Sequence, residues 1–171
     1  MQQPLLILTA VDVRRAEEAG TSRATTISTL TIPAVNFVTA EHSPGGGVGA
    51  VNFTLPRIEA LEPAFSAKGL DRDVFRGLGI SDRWTFASSY RDKKTNRPMA
   101  ARGIIEGAIT QWEPDESDPA EFQGCNHAFN EVTHFELTLD GEEFFYFDFW
   151  ERVLRRDGVD LFADDRRALG A

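Results

Sequence analysis

The stretch that most limits how this chain can fold runs from His134 to Trp150. It reads His-Phe-Glu-Leu-Thr-Leu, then Asp140-Gly141, then Glu-Glu-Phe-Phe-Tyr-Phe-Asp-Phe-Trp. Asp-Gly between two such runs is a tight-turn signal, because glycine accepts a positive φ at little steric cost. The spacing predicts a strand over residues 125–139 that pairs back with a strand over 142–150. The run Phe144 to Trp150 is apolar on both faces of a strand, so burial on both sides is expected, within the chain or against a partner. A second Asp-Gly at 157–158 predicts another turn, and Asp164 to Leu169 a short terminal helix.

The rest of the chain has the same character. Residues 4–13 are apolar and read as a first strand, and 14–24, with Gly20 and Ser22, as a loop. Thr26 to Ile32 is rich in β-branched residues and stops at Pro33, after which Val35, Phe37 and Thr39 alternate with their neighbours. Ser43-Pro44-Gly45-Gly46-Gly47 is a flexible turn. Val51, Phe53 and Leu55 alternate with Asn52 and Thr54, predicting a strand with one face on the core. Pro56 and Pro63 predict bends or bulges, and the strand resumes through Leu61, Phe65 and Ala67. Asp71 is placed to cap a short helix carrying Val74, Phe75 and Leu78 on one face and ending at Gly79. Trp84, Phe86, Ser88 and Tyr90 form a period-2 stripe. Asp92 to Pro98 is a charged hairpin loop between that stripe and a long strand over 99–112. Residues 113–123 hold five acids and two prolines and read as an exposed loop. Seven or more strands with one or two short helices predict a mainly β fold, an antiparallel sandwich or barrel.

At 171 residues the length fits one domain spanning 1–171, and an apolar fraction of 42% argues against disorder. The net charge of −9 is uneven: residues 1–110 carry 13 basic and 11 acidic side chains, residues 111–171 carry 5 and 16. Such a balance argues against gripping nucleic acid through its phosphates, but not against letting it slide past. The single cysteine, Cys125, excludes an internal disulfide framework and a multi-cysteine metal site. The N-terminal apolar run lacks the flanks of a secretory signal, and no run approaches the roughly 20 apolar residues of a membrane span; a soluble chain made in the cytoplasm is expected.

Candidate chemistry is thin. Gly45-Gly46-Gly47-Val48-Gly49 lacks the Lys-Ser/Thr of a phosphate loop and lies between strands rather than before a helix. His127, Glu131 and His134 invite a metal reading, but strand alternation puts His127 and Glu131 on one face and His134 on the other. Neither the adjacent acids Glu142-Glu143 and Asp164-Asp165 nor Ser88 and Ser89 form a catalytic set. No catalytic, cofactor or metal residues are assigned, and an enzyme is not expected.

In order and spacing, the chain resembles the major tail tube proteins of contractile-tailed bacteriophages and of phage-tail-like bacteriocins. The motifs are Leu30-Thr31-Ile32-Pro33, the glycine loop at 45–49, Leu61 to Gly69 leading into a helix, and Phe86 to Tyr90 with its charged hairpin. Ile104 to Trp112 before an acidic loop, Phe135-Glu-Leu-Thr-Leu-Asp-Gly-Glu-Glu, Gly158-Val159-Asp160 and Arg167-Ala-Leu-Gly complete the set. The likeness spans about residues 27–171, and the first 25 residues depart from it.

The resemblance implies a homohexameric ring in which each subunit lends two hairpins, 30–40 with 50–67 and 99–112 with 125–139, to a 24-stranded inner barrel. Rings would stack into a tube inside a contractile sheath of a virion tail, assembled in the bacterial cytoplasm. Implied partners are other copies of the chain, sheath protein, tape-measure protein, tube initiator or baseplate and terminator proteins, and DNA passing without specific binding. Glu59, Glu106, Asn130, His134 and Glu136 are the expected lumen residues. Glu41, Gly45, Gly46, Gly47, Glu113, Asp115 and Glu116 are expected in inter-ring loops, and Asp157, Asp160, Asp164, Arg166 and Arg167 on the outer, sheath-facing surface. A DNA-free bacteriocin or secretion-type tube is an alternative within the class. A monomeric β-barrel binding a small ligand is one outside it, although the mixed polarity of 126–138 fits a wetted lumen better than an apolar pocket.

Overall fold

A computed structural model describes residues 3–16 and 21–170. Part of the loop expected around Gly20 therefore lies outside the described residues. The strands in chain order are β1 (Leu6–Arg15), β2 (Ile27–Thr31), β3 (Phe37–His42), β4 (Val51–Ile58) and β5 (Ala64–Lys68), followed by helix α1 (Arg72–Arg76). Then come β6 (Ser81–Asp92), β7 (Pro98–Pro114), β8 (Gly124–Leu139), β9 (Glu142–Asp148), β10 (Val153–Arg156), β11 (Val159–Asp160) and helix α2 (Ala163–Ala168). The expectation of a mainly β, antiparallel chain with two short helices holds. No closed barrel forms within one chain: among the described residues nine strands make one branched sheet, and β3 and β4 pair with each other.

The branch point is β8. One of its edges pairs with β7 along most of its length. The other edge is shared, Gly124 to Ala128 pairing with β5 and His134 to Leu139 with β9. Between these halves the β7–β8 ladder carries three register shifts, at Glu106/Gly107, Ala108/Ile109 and Ile109/Gln111. Bulges bend a strand and increase its twist, which lets one edge serve two partners. β2 completes the lower branch by pairing with β5.

The core lies on one face of this sheet, where β6 faces the lower branch. Phe65 of β5 meets Trp84, Phe86 and Phe129 at centroid distances of 6.1, 6.0 and 6.4 Å and stacks on His127 at 4.6 Å. Ile105, Ile109, Val13, Val74 and Phe135 close the cluster. Asp71 caps α1 as its sequence predicts, its carboxylate accepting from the Asp73 and Val74 amides at 3.0 and 3.1 Å. Val74 is buried, whereas Phe75 is exposed and turns its edge to Trp112 at 5.1 Å.

Several expectations need correction. The first strand extends to Arg15 rather than yielding to a loop at residue 14, because Arg15 is buried, ion-paired with Asp82 and packed over the Trp84 ring at 5.9 Å. Glu41 lies within β3 and Glu113 within β7, so neither is a loop residue. β4 does not place one face on the core: Val51 to Thr54 are exposed throughout, and only from Leu55 onward does burial begin. Within the single chain the aromatic run from Phe144 to Trp150 is covered on one side: Phe145 is core, while Phe144 and, just past β9, Phe149 and Trp150 are more than half exposed.

Candidate functional site

On the lower branch, four strands, β2, β5, β8 and β7, lie side by side. Each contributes a triplet with a bulky central residue between small or polar ones, and the pairing register aligns them. Thr29, Ser66, Asn126 and Glu113 are successive cross-strand partners, as are Thr31, Ala64, Ala128 and Gln111. The row between them, Leu30, Phe65, His127 and Trp112, points to the core. Directly opposed residues share a face of a sheet, so two small or polar rows lie on the face away from the core. Thr29, Thr31, Asn126, Gln111 and Glu113 are exposed there, and Ala64, Ser66 and Ala128 half-buried. Asn126 is held from two sides, by Ser66 across the strand and by the Asp115 carboxylate at 3.5 Å. These rows line a partly open hollow of about 210 Å³. The face is a wettable wall backed by aromatic packing.

The polar face continues along β7 and β8. Glu106 and His134 are direct cross-strand partners, and Glu136 opposes Ile104 on one side and Tyr146 on the other. These residues face away from Ile105 and Phe135, which are buried. His134 Nδ1 lies 3.1 Å from Asp148 Oδ2 and its ring stands on edge to Tyr146 at 5.1 Å. Burial pushes the Asp148 carboxyl up, but hydrogen bonds from the Glu151 amide and His134 outweigh it and hold it below its ordinary value. Asn130 is exposed beside the bulges. Glu59 is displaced from this group: it follows β4, outside any strand, and its amide donates to Asn36 O at 2.9 Å.

His127 and His134 are in different environments. His127 is buried on Phe65, where desolvation lowers its pKa, and Cys125 Sγ lies 3.6 Å from its Nε2. Burial, then the nearby Asp115, raises the Cys125 thiol. Among the described residues no group of three His, Cys, Asp or Glu is placed to hold a metal ion.

The remaining sequence candidates divide between turns and internal ion pairs. Gly45, Gly46 and Gly47 form the β3–β4 turn, closed by a Gly47 N–H to Pro44 O bond of 3.1 Å. Asp115 and Glu116 open the β7–β8 connection, anchored by Asp115 N to Gly124 O at 2.8 Å. Asp160 and Arg166 pair at 2.6 Å and are mostly covered, and Arg166 also donates to Arg152 O at 2.8 Å. The Arg166 hydrogen bond pulls the Asp160 carboxyl below its ordinary value against the effect of burial. These two residues fasten α2 to β11. Asp157, Asp164 and Arg167 are exposed, the last two 3.1 Å apart on one helical turn.

The family model described as phage tail tube protein FII matches residues 15–170. The chain belongs to the phage tail tube protein FII family. Members of this family are structural rather than enzymatic proteins, and the chain is accordingly a tail tube subunit, a component of the tail of a phage or phage-like particle. Among solved structures, a chain of the anti-feeding prophage baseplate, determined by electron cryomicroscopy with 6-fold symmetrisation, is similar in fold. It aligns with a TM-score of 0.53 at 8% identity, covering 81% of this chain and 97% of that one. Comparison with curated proteins returns no match.

Sequence reasoning did not single out Thr29, Thr31, Ser66 and Gln111 of the four-strand polar wall. The signal was present in the triplets Thr-Leu-Thr, Ala-Phe-Ser, Asn-His-Ala and Gln-Trp-Glu. Their significance depends on a register that only the fold supplies.

Proposed function

We propose that residues 1–171 act as one tail-tube domain, six copies of which close into a ring, each contributing four strand paths, β2 running on into β3, β4 running on into β5, β7 and β8, to a 24-stranded inner barrel. The observation that carries this reading is the polar wall itself: four aligned strands with an apolar back and a wettable front. Among the described residues the edge strand β2 pairs with β5 alone, and closure into a ring removes such an edge. Twenty-four strands at about 4.8 Å spacing and a tilt near 40° give a backbone diameter of about 40–50 Å. An outer layer about 10 Å away on each side, with its side chains, brings this to about 70–80 Å, near the rings of about 80–100 Å that the family resemblance implies.

On this reading the two polar rows, with Glu106, Asn130, His134 and Glu136, line the bore, and Glu59 lies at its margin. Six copies of a −9 chain bring −54 charges to each ring, which favours passage of DNA over adhesion. Rings stack inside a contractile sheath, around a tape-measure protein during assembly, between initiator or baseplate and terminator proteins. Gly45 to Gly47, Asp115 and Glu116 lie at ring ends, with Glu41 and Glu113 at the strand tips beside them. Asp157, Asp164 and Arg167 face outward to the sheath, with the paired Asp160 and Arg166 holding that surface in shape.

Negative-stain microscopy of the purified protein tests the ring: rings or tubes of that width support it, and a stable monomer at high concentration counts against it. Charge reversal of Glu106 and Glu136 tests the lumen. Slowed DNA ejection is expected, and unchanged ejection would remove the repulsion argument.

A further inference from the structure

Strand β7 joins two clusters of opposite charge. It begins at the β6–β7 turn, where Arg91, Lys93, Lys94 and Arg97 stand within seven residues. It ends at the β7–β8 connection, where Glu113, Asp115, Glu116, Asp118 and Glu121 stand within nine. The strand has 17 residues, so at about 3.3 Å per residue the clusters lie roughly 50 Å apart, at opposite ends of the sheet.

Each cluster keeps most of its charge available. At the basic tip, Asp92 is engaged by the turn itself, accepting from the Lys94 amide at 2.8 Å and the Thr95 hydroxyl at 2.9 Å. Arg97 is tied to Asp140 at 2.5 Å. Among the described residues Arg91 bonds to the neutral Asn96 at 3.3 Å, and Lys93 and Lys94 are exposed. The tip is also rigid: Lys93 N donates to Leu5 O at 2.9 Å and Asn96 N to Asp92 O at 2.8 Å. At the acidic end, Asp115 is engaged by Asn126 at 3.5 Å, and Lys68 is the cross-strand partner of Gly124. Glu116, Asp118 and Glu121 are exposed.

We propose that the basic β6–β7 tip of one copy docks on the acidic β7–β8 connection of a second copy, head to tail along the β7 axis. The inference rests on the tube reading and deepens it, naming the counter-surface for the acidic loop. A head-to-tail contact between unlike surfaces does not close on itself, so it propagates along an axis. Repetition around a ring turns individually weak exposed pairs into a multivalent contact. Opposite charge on the two ends also sets polarity, because like ends repel when rings meet head to head.

The experiment uses the full chain and separates ring formation from stacking. Particles are imaged by negative stain at low salt and at about 1 M salt, where the Debye length is about 3 Å. Three variants are compared: Lys93→Glu with Lys94→Glu, Glu116→Lys with Asp118→Lys, and all four together. Circular dichroism checks that each is folded; the sites are exposed turn positions, so folding should survive. The expected result is rings of normal width in every case, tubes shortened at least tenfold in either double variant, and tube length recovered in the fourfold variant. High salt should shorten wild-type tubes. Wild-type length in both double variants, or no recovery in the fourfold variant, overturns the docking proposal while leaving the ring intact. Absence of rings in the wild type overturns the ring reading itself.

Discussion

Gly107 passes so close to the Glu131 carbonyl that a β-carbon at residue 107 would overlap it. The contact sits among the bulges of the β7–β8 ladder, where β8 changes partner. Gly107→Ala should therefore force the two backbones apart and cost about 1–3 kcal/mol, the usual range for overpacking. Gly45→Ala and Gly49→Ala, at positions with open space around the missing β-carbon, should change stability by less than about 0.5 kcal/mol. Urea unfolding at one protein concentration compares the three, and an undisturbed Gly107→Ala would show that the ladder can open there.

Phe65 is the member of the core that touches most of its aromatic neighbours, among them Trp84, Phe86, His127 and Phe129. Phe65→Ala should cost about 3–5 kcal/mol. Phe144→Ala, at a side chain that is 54% exposed in the single chain, should cost far less in the isolated protein. If the aromatic run of β9 is covered on assembly, Phe144→Ala should nonetheless impair tube formation. Thermal unfolding and microscopy read the two effects separately.

Burial lowers the pKa of His127 in the folded chain. The unfolded chain therefore binds a proton near pH 6.5 that the folded chain refuses. This contribution to stability is full above about pH 6.5 and declines as pH falls through that value toward the depressed folded pKa. His127→Phe preserves a ring against Phe65 but cannot titrate. The urea midpoint of the wild type should fall between pH 7.5 and 5.5, and that of His127→Phe should fall less. Equal slopes would place the titration elsewhere.

Asp71 joins two jobs, capping α1 and pairing with Arg23 at 2.5 Å. Burial raises its carboxyl, and the Arg23 and Val74 hydrogen bonds more than reverse that. Its folded pKa is thus depressed, and the stabilisation it lends is present above about pH 4 and lost as pH falls below it. Asp71→Asn keeps a capping oxygen and loses the charge; Asp71→Ala loses both. The expected order of stability is wild type, then Asn, then Ala, with the cap alone accounting for about 0.5–2 kcal/mol. Circular dichroism melts at pH 7 give the order, and a reversal of Asn and Ala would exclude the cap as the larger effect.

Much of the strand pattern is legible in the sequence. The Asp140-Gly141 turn has φ values of 53° and 87° at its two residues, as the dipeptide predicts, and the stripe of Trp84, Phe86 and Ser88 is buried on one side of β6. What stayed hidden depended on long-range partners. Arg14 and Arg15 read as loop because nothing local reveals that Asp82, 67 residues later, neutralises Arg15 in the core. The polar rows were hidden for the same reason: Thr29 and Glu113 belong to one wall only through two intervening strands. The β3–β4 hairpin shows the opposite error. Its alternation is genuine, but alternation reports a preferred face without saying that the same chain supplies a cover for it.

The shared edge of β8 has a further consequence. The segment between its two halves works as an expansion joint. Below residue 129 the strand answers to β5 and above 133 to β9, and the irregular rungs between them isolate one register from the other. A residue inserted at Asn130 or Glu131 can be taken up where pairing is already interrupted. The same insertion at Asn126 would move Asn126's polar row onto the aromatic side and turn part of the wall inside out. Length variation along this strand should therefore be confined to the joint, leaving the wall and the outer sheet free to diverge separately.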